Sequence, residues 1–252
     1  MPLNRFQLDF LSGVCDCLSC NQIRRVNVGF SDEWDLCYAD GDQLSIWPWS
    51  DLVSLVNRHC KAILSKENGR ALELGCGAGA NIPLFQSLKM DYHAIEGSTT
   101  IVKQLGIKYP EFADSIVCGD FTSFQPFGGL FDLIFDRAAI THNNESSIRV
   151  TLEIILRSLK TDGIFIGSDW FSTKHSDYES GEEVDDKYTK TNYTKGQFIG
   201  IGKVHFSDEQ HIRDLFCKFD ILYLEEKTNV ILQPKGTANV SSWNIVAVPS
   251  KV

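Results

Sequence analysis

The stretch Arg70-Ala71-Leu72-Glu73-Leu74-Gly75-Cys76-Gly77-Ala78-Gly79-Ala80-Asn81 decides the fold. An apolar run carrying one acid ends in three glycines at alternate positions. The run reads as a buried strand, and the glycines as the turn that leads from it into a helix. Such a turn binds anions and nucleotides: glycine lets the ligand approach the main chain, and the helix N-terminus offers free N–H groups. Two patterns fit. A dinucleotide fingerprint, GxGxxG/A, falls on Gly75, Gly77 and Ala80, and ExGxGxG falls on Glu73, Gly75, Gly77 and Gly79. The turn alone does not choose between them.

Around this stretch strands and helices alternate. Strands are expected at 70–75, 92–96, 115–119, 131–136 and 163–168, and helices at about 50–64, 80–89, 98–107 and 144–159. Ser50 is a suitable N-cap for the first helix, and Ile148, Leu152, Ile155 and Leu159 form one stripe on the last. The alternation implies an α/β fold with a parallel sheet covered on both faces. Residues 171–203 break the rhythm. They are polar and too long for a simple loop, so they read as an insertion that is functional or disordered. Ser207-Asp208-Glu209-Gln210 is a capping box for a helix to about Phe219. The runs "DILYLEEK" and "WNIVAVP" then follow as an antiparallel closing pair. The chain divides into an N-terminal arm, 1–49, and a domain over 50–252.

The residues after each strand narrow the ligand. Glu96 follows the second strand, where an acid accepts both ribose hydroxyls of an adenosine. Asp120 and Phe121 follow the third, as a carboxylate for an adenine amino group and a ring for its face. The fourth, "FDLIFDRAAITHN", places Asp136, Arg137 and His142 at the carboxyl ends of the strands, where open α/β sheets bind ligands. No separate substrate domain is expected, which opposes an NAD(P)-dependent oxidoreductase.

Composition limits the rest. Of 252 residues 43% are hydrophobic and 23% charged, so a packed core is expected. The net charge is −9 and no basic stripe is present; neither a nucleic acid nor a membrane is expected as partner. Lys187, Lys190 and Lys195 read as a solvated loop. No apolar run reaches membrane-spanning length and the first residues make a poor signal peptide, so a cytoplasmic protein is expected. Among eight cysteines, Cys60, Cys76, Cys118 and Cys217 read as buried free thiols of a reducing compartment. Cys15, Cys17 and Cys20, with Cys37, are too irregularly spaced for a zinc knuckle and read as part of the arm.

From about Ser50 to Val248, "LELGCGAGA", Glu96, "GDF", "FDLIFDR" and "WNIVAV" together resemble the class I S-adenosylmethionine-dependent methyltransferases. The resemblance implies a Rossmann-like seven-stranded sheet of order 3-2-1-4-5-7-6 with strand seven antiparallel. It implies S-adenosyl-L-methionine as cofactor, held by Glu73, Gly75, Cys76, Gly77, Gly79, Asn81, Glu96, Gly97, Asp120, Phe121, Asp136 and Arg137. "DEWDLCYADGDQLSIWPWSDLV" is similar to the thiopurine-type methyltransferases, in which an aromatic pair four residues apart closes over the cofactor. Trp34 and Tyr38 match that spacing, and Trp47 joins them in the implied lid. "LSIWPWSDLV" also resembles methyltransferases of bacterial surface-polysaccharide clusters, which implies a small polar acceptor such as a sugar or sugar nucleotide.

Methyl transfer from a sulfonium is an in-line displacement, so the enzyme chiefly aligns the reactants and excludes water. His142 and Asp136 are the expected catalytic residues, with His175 in reserve as a base. In catechol-type enzymes an acid after strand four and an Asp-Asn pair after strand five hold Mg²⁺. Asp136 and Asp169 match the acids but Trp170 replaces the Asn, so no metal is expected. A non-catalytic cofactor-binding subunit is the alternative.

Overall fold

The structure is a computed structural model that describes residues 33, 34, 38, 44–234 and 239–251. Helix α1 (Ser50–His59) and a single turn, α2 (Lys61–Leu64), precede the first strand. Then follow β1 (Arg70–Leu74), α3 (Ile82–Ser87), β2 (Asp91–Glu96), α4 (Thr99–Lys108), β3 (Ile116–Cys118), β4 (Phe131–Arg137), α5 (Glu145–Ser158) and β5 (Leu159–Phe171). The chain continues through β6 (Glu182–Val184), β7 (Asp186–Thr191), β8 (Val204–His205), α6 (Glu209–Leu215), β9 (Phe219–Asn229) and β10 (Val240–Pro249).

Seven strands form one sheet in the order β3-β2-β1-β4-β5-β10-β9. The β1, β2, β3, β4 and β5 contacts are parallel, and β10 lies antiparallel to both β5 and β9. This is the expected order, with β9 and β10 as strands six and seven. Alternation along the strands divides the core. Ala71, Phe135 and Ile166 face α1, α3 and α4, while Leu72, Ile134 and Phe165 face α5 and α6. Each fully buried Leu, Ile or Phe contributes about 1.5–3 kcal/mol, so both faces hold the helices against the sheet.

Local structure departs from expectation at several points. The first helix breaks at Cys60, whose φ of −102° and ψ of 19° are not helical. Trp49, not Ser50, is its N-cap, and no side chain caps it. Asp208, not Ser207, caps α6, accepting from His211 N at 2.8 Å. Cys60 and Cys76 are buried, but Cys118 and Cys217 are exposed: one ends the edge strand β3, the other follows α6.

The segment after β5 is ordered. Strands β6, β7 and β8 form an antiparallel sheet of their own. Tyr193, Phe198, Ile201, Val204 and Phe206 bury a small core under it, against which Trp34 and Phe171 pack. Backbone bonds from Ser172 N to Ser241 O and from Ser207 N to Phe171 O tie this unit to the main sheet. It therefore stands over the carboxyl end of β5. Cys15, Cys17, Cys20 and Cys37 lie outside the described residues.

Candidate active site

A cavity of about 390 Å³ opens where β1, β2 and β4 end, roofed by residues of the insertion and by Trp34 and Tyr38. The glycine turn forms its floor. Gly75, Gly77 and Gly79 have φ of 70°, 50° and 77°, the left-handed region that side chains disfavour. A Cβ on Gly75 would stand 2.3 Å from that of Ala139, so the turn after β4 packs directly on the turn after β1. A Cβ on Gly77 would stand 3.0 Å from the Tyr38 hydroxyl, which lies across the turn. Gly75, Cys76 and Gly77 line the cavity; Gly79 is turned to Leu105 and Ile82 and does not.

Two acids hold this floor. Glu73 is buried and accepts from Asn81 Nδ2 at 2.8 Å and from the Tyr92 hydroxyl. Burial pushes its carboxyl up to about 7, against the pull of these donors. It thereby ties the end of β1 to the start of α3. Asn81 also lines the cavity, and its Oδ1 is buried without a partner. Glu96 accepts from Gly77 N at 2.8 Å and from Ser98 N at 2.9 Å, so the end of β2 grips the turn after β1. Glu96 and Gly97 line the cavity, as do Asp120 and Phe121. Asp120 accepts from Thr122 N at 2.9 Å and Thr122 Oγ1 at 2.7 Å, a local turn that fixes its carboxylate.

The residues after β4 separate. Arg137 lines the cavity; its Nε donates to Asp169 at 3.0 Å and its guanidinium lies 3.8 Å from the Trp49 ring centre. Asp136 does not line it. The adjacent strand residue points the other way, and Asp136 is buried with one oxygen accepting from Trp170 Nε1 at 2.7 Å and the other from Ile140 N at 3.0 Å. Burial raises its carboxyl to about 7. Asp136 is thus an anchor for the turn that carries His142, a correction to its expected contact with the reactants.

His142 lines the cavity from a single 3-10 turn, Ile140–His142. Its ring packs edge-on to Trp34 at 4.8 Å and to Phe171 at 5.7 Å. Nδ1 lies 3.2 Å from Lys203 O. A carbonyl only accepts, so Nδ1 carries the proton and Nε2 the lone pair. Desolvation lowers the ring's pKa to about 4, which keeps it neutral near pH 7. The reserve base, His175, is buried and outside the lining.

The aromatic expectations divide likewise. Trp34 and Tyr38 line the cavity with ring centres 5.8 Å apart. Trp47 does not; it is 71% exposed, and Trp49 lines the cavity instead. Successive residues about Pro48 leave in different directions, and the spacing of the tryptophans does not say which faces inward. Neither is a buried core anchor. Asn143, Phe171, Gln197, Phe198 and Ile201 also line the cavity, and the sequence does not single them out. Asn143 adjoins His142 and could have been read with it. For the others the sole signal was the length of the insertion.

Residues 72–167, from β1 to β5, match the family model described as a methyltransferase domain. The matched segment carries the pattern of a methyltransferase domain, on a sheet with the strand order expected for that fold. Solved methyltransferases share the fold. An S-adenosylmethionine-dependent methyltransferase from Clostridium acetobutylicum ATCC 824 is 13% identical, with 90% of this chain and 94% of that one covered and a TM-score of 0.55. One from Methanosarcina mazei is 12% identical, covering 81% and 98%, with a TM-score of 0.59. The glycopeptide N-methyltransferase MtfA, complexed with sinefungin, is 16% identical, covering 80% and 86%, with a TM-score of 0.55. No curated protein matches the chain by sequence. Among the described residues, no helix is long and apolar enough to cross a membrane.

Proposed function

We propose that this methyltransferase moves the methyl group of S-adenosylmethionine to an oxygen or nitrogen of a small polar acceptor. One observation carries the reading: a single cavity joins the acid-held glycine turn to a neutral histidine whose Nε2 lone pair is unspent. The cofactor supplies an electrophilic methyl group on a sulfonium. Glu96 and Gly97 receive its ribose, and Asp120 and Phe121 its adenine. Asn81 Oδ1, buried and unpartnered, fits its ammonium group. Arg137, the one cation in the lining among the described residues, fits its carboxylate.

His142 holds the acceptor. Its Nε2 accepts a hydrogen bond from an O–H or N–H and so turns the nucleophile's lone pair towards the methyl group. A nucleophilic oxygen becomes strongly acidic as it is methylated. A base held low by burial still takes that proton, which moves from the acceptor to Nε2. Trp34, Tyr38 and Phe198 keep water from the reacting atoms.

A cavity of about 390 Å³ suits a small molecule, and its acids, with a net charge of −9, disfavour nucleic acid. A sugar or sugar nucleotide is the acceptor class we favour. Four free thiols among the described residues support a cytoplasmic setting, and Trp34 and Tyr38 support the N-terminal arm as a lid. Calorimetry with S-adenosylhomocysteine tests the cofactor site; micromolar binding, about −8 kcal/mol, is expected. Saturable NADH binding with no heat from S-adenosylhomocysteine would overturn it. Turnover with candidate acceptors, unchanged by EDTA, would separate an enzyme from a non-catalytic subunit.

A further inference from the structure

The hydrogen-bonding polarity of the cavity's polar groups is set by what each holds on its far side. His175 lies behind the wall, 2% exposed. Its Nδ1 accepts from Asp177 N at 3.0 Å. A backbone N–H only donates, so in the neutral ring the proton sits on Nε2. Desolvation lowers the pKa of His175, which favours that neutral ring. Nε2 is 2.9 Å from the Gln197 amide atom placed as Nε2; O and N of a side-chain amide are assigned from their hydrogen bonds, and here the partners require the exchanged orientation. An amide nitrogen there would set donor against donor; the amide oxygen satisfies the contact. Gln197 N also donates to Asp177 Oδ2 at 2.7 Å, so the residue is held from two sides, and it lines the cavity.

We propose that His175 is a positioning residue that turns the Gln197 amide so its NH₂ group faces the cavity and donates to a lone-pair-bearing atom of the methyl acceptor. The proposal rests on the methyltransferase reading given above. Two more groups complete the pattern. Asn143 donates through Nδ2 to Ile140 O at 3.2 Å, which leaves Oδ1 as an acceptor, buried and without a partner in the cavity wall. His142 presents the Nε2 lone pair, because Nδ1 serves Lys203 O. One donor and two acceptors together complement a molecule with two O–H or N–H groups and a lone pair close by. That chemistry belongs to polyhydroxylated compounds and amino alcohols, not to flat apolar rings.

Heteronuclear NMR on the full chain tests the device without an acceptor in hand. The expected result is a His175 ring protonated at Nε2, with a coupling across the hydrogen bond to the Gln197 Cδ carbonyl. Protonation at Nδ1, or a coupling from His175 Nε2 to the Gln197 amide nitrogen, would overturn it. Dimethyl sulfoxide, which accepts hydrogen bonds but cannot donate them, then probes the cavity. The Gln197 NH₂ resonances should shift saturably in the wild type and in His175→Gln, whose amide can replace the ring's donor. Gln197→Glu keeps the oxygen facing His175 but has no NH₂, and its backbone resonances around the cavity should lose the response. An unshifted NH₂ in the wild type, or an undiminished response in Gln197→Glu, would sink the donor role. S-adenosylhomocysteine titration reads the other question. Loss of that binding with the coupling intact would reject the cofactor site, and intact binding with the wrong coupling would reject the positioning role alone.

Discussion

At the floor of the cavity, Glu73 and Glu96 hold a backbone turn; behind its opposite side, in and beside the insertion, buried histidines hold side chains. In the first, acids accept from Gly77 N, Ser98 N and Asn81 Nδ2 over short stretches of chain. In the second, His205 lies between Thr189 Oγ1 at 2.9 Å and His211 Nε2 at 3.0 Å, while His175 lies between Asp177 and Gln197. Thr189 gives its own proton to Asp186 Oδ2 at 2.8 Å, so His205 Nδ1 donates and its Nε2 accepts from His211. Burial acts on the two regions with opposite sign. It raises Glu73 and Asp136 to about 7 and lowers His142 to about 4, with His175, His205 and His211 lowered too. Low dielectric disfavours whichever form carries charge. The acid floor is therefore built near the start of the domain by local spacing, and the histidine cluster by a tertiary contact between the insertion and α6.

The largest effect should come from the acid floor. Gly75→Val puts a Cβ 2.3 Å from that of Ala139 at a φ of 70°. Backbone strain and overpacking together should cost about 3 kcal/mol or more, read by urea denaturation; a wild-type midpoint would show that the two turns can part freely. Glu96→Ala should weaken S-adenosylhomocysteine binding by about 1–3 kcal/mol. It removes the expected ribose acceptor together with the brace on Gly77, and unchanged affinity in a folded variant would take Glu96 out of the site.

The pH dependence sharpens the contrast. A histidine lowered in the folded state contributes stability that is present above its unfolded pKa, near 6.5, and lost as pH falls. A carboxyl raised in the folded state works the other way between about pH 4 and 7. His205→Gln should make the acid-side loss shallower by up to about 1.4 kcal/mol per pH unit, measured as the slope of unfolding free energy from pH 6.5 to 4. An unchanged slope would mean that His205 is not the group that resists protonation. The smallest effect is expected at Trp47. Its exposed ring should be replaceable by Ala with less than about 0.5 kcal/mol change in stability, whereas Trp34→Ala should weaken the cavity roof and its binding of S-adenosylhomocysteine. Equal responses to the two substitutions would erase the distinction between them.

Much of the sheet is legible in the order of residues, because strands buried on both faces are largely apolar and consecutive elements lie side by side. Glu73, Glu96 and Asp120 are legible for a related reason: a residue at a strand's end is placed by the strand itself. Asp136 shows the limit of that argument. A one-residue difference along β4 sends Asp136 inward to Trp170 and Arg137 to the cavity, and only packing decides which faces which. Packing also decides between Trp47 and Trp49, which flank Pro48 outside any strand.

The sequence by itself determined the parallel sheet with its antiparallel strand, the glycine turn and the acids at the carboxyl ends of β1, β2 and β3, since each depends on periodicity or on spacing within one or two elements. The tertiary structure alone decided the roof. Gln197, Phe198 and Ile201 reach the cavity because the 172–206 unit folds on its own small core and docks through Ser172 and Ser207. The direction of the Gln197 amide depends in turn on a histidine 22 residues away. Such contacts join residues that share no secondary-structure element, and their geometry is set by side-chain packing, which no local period encodes.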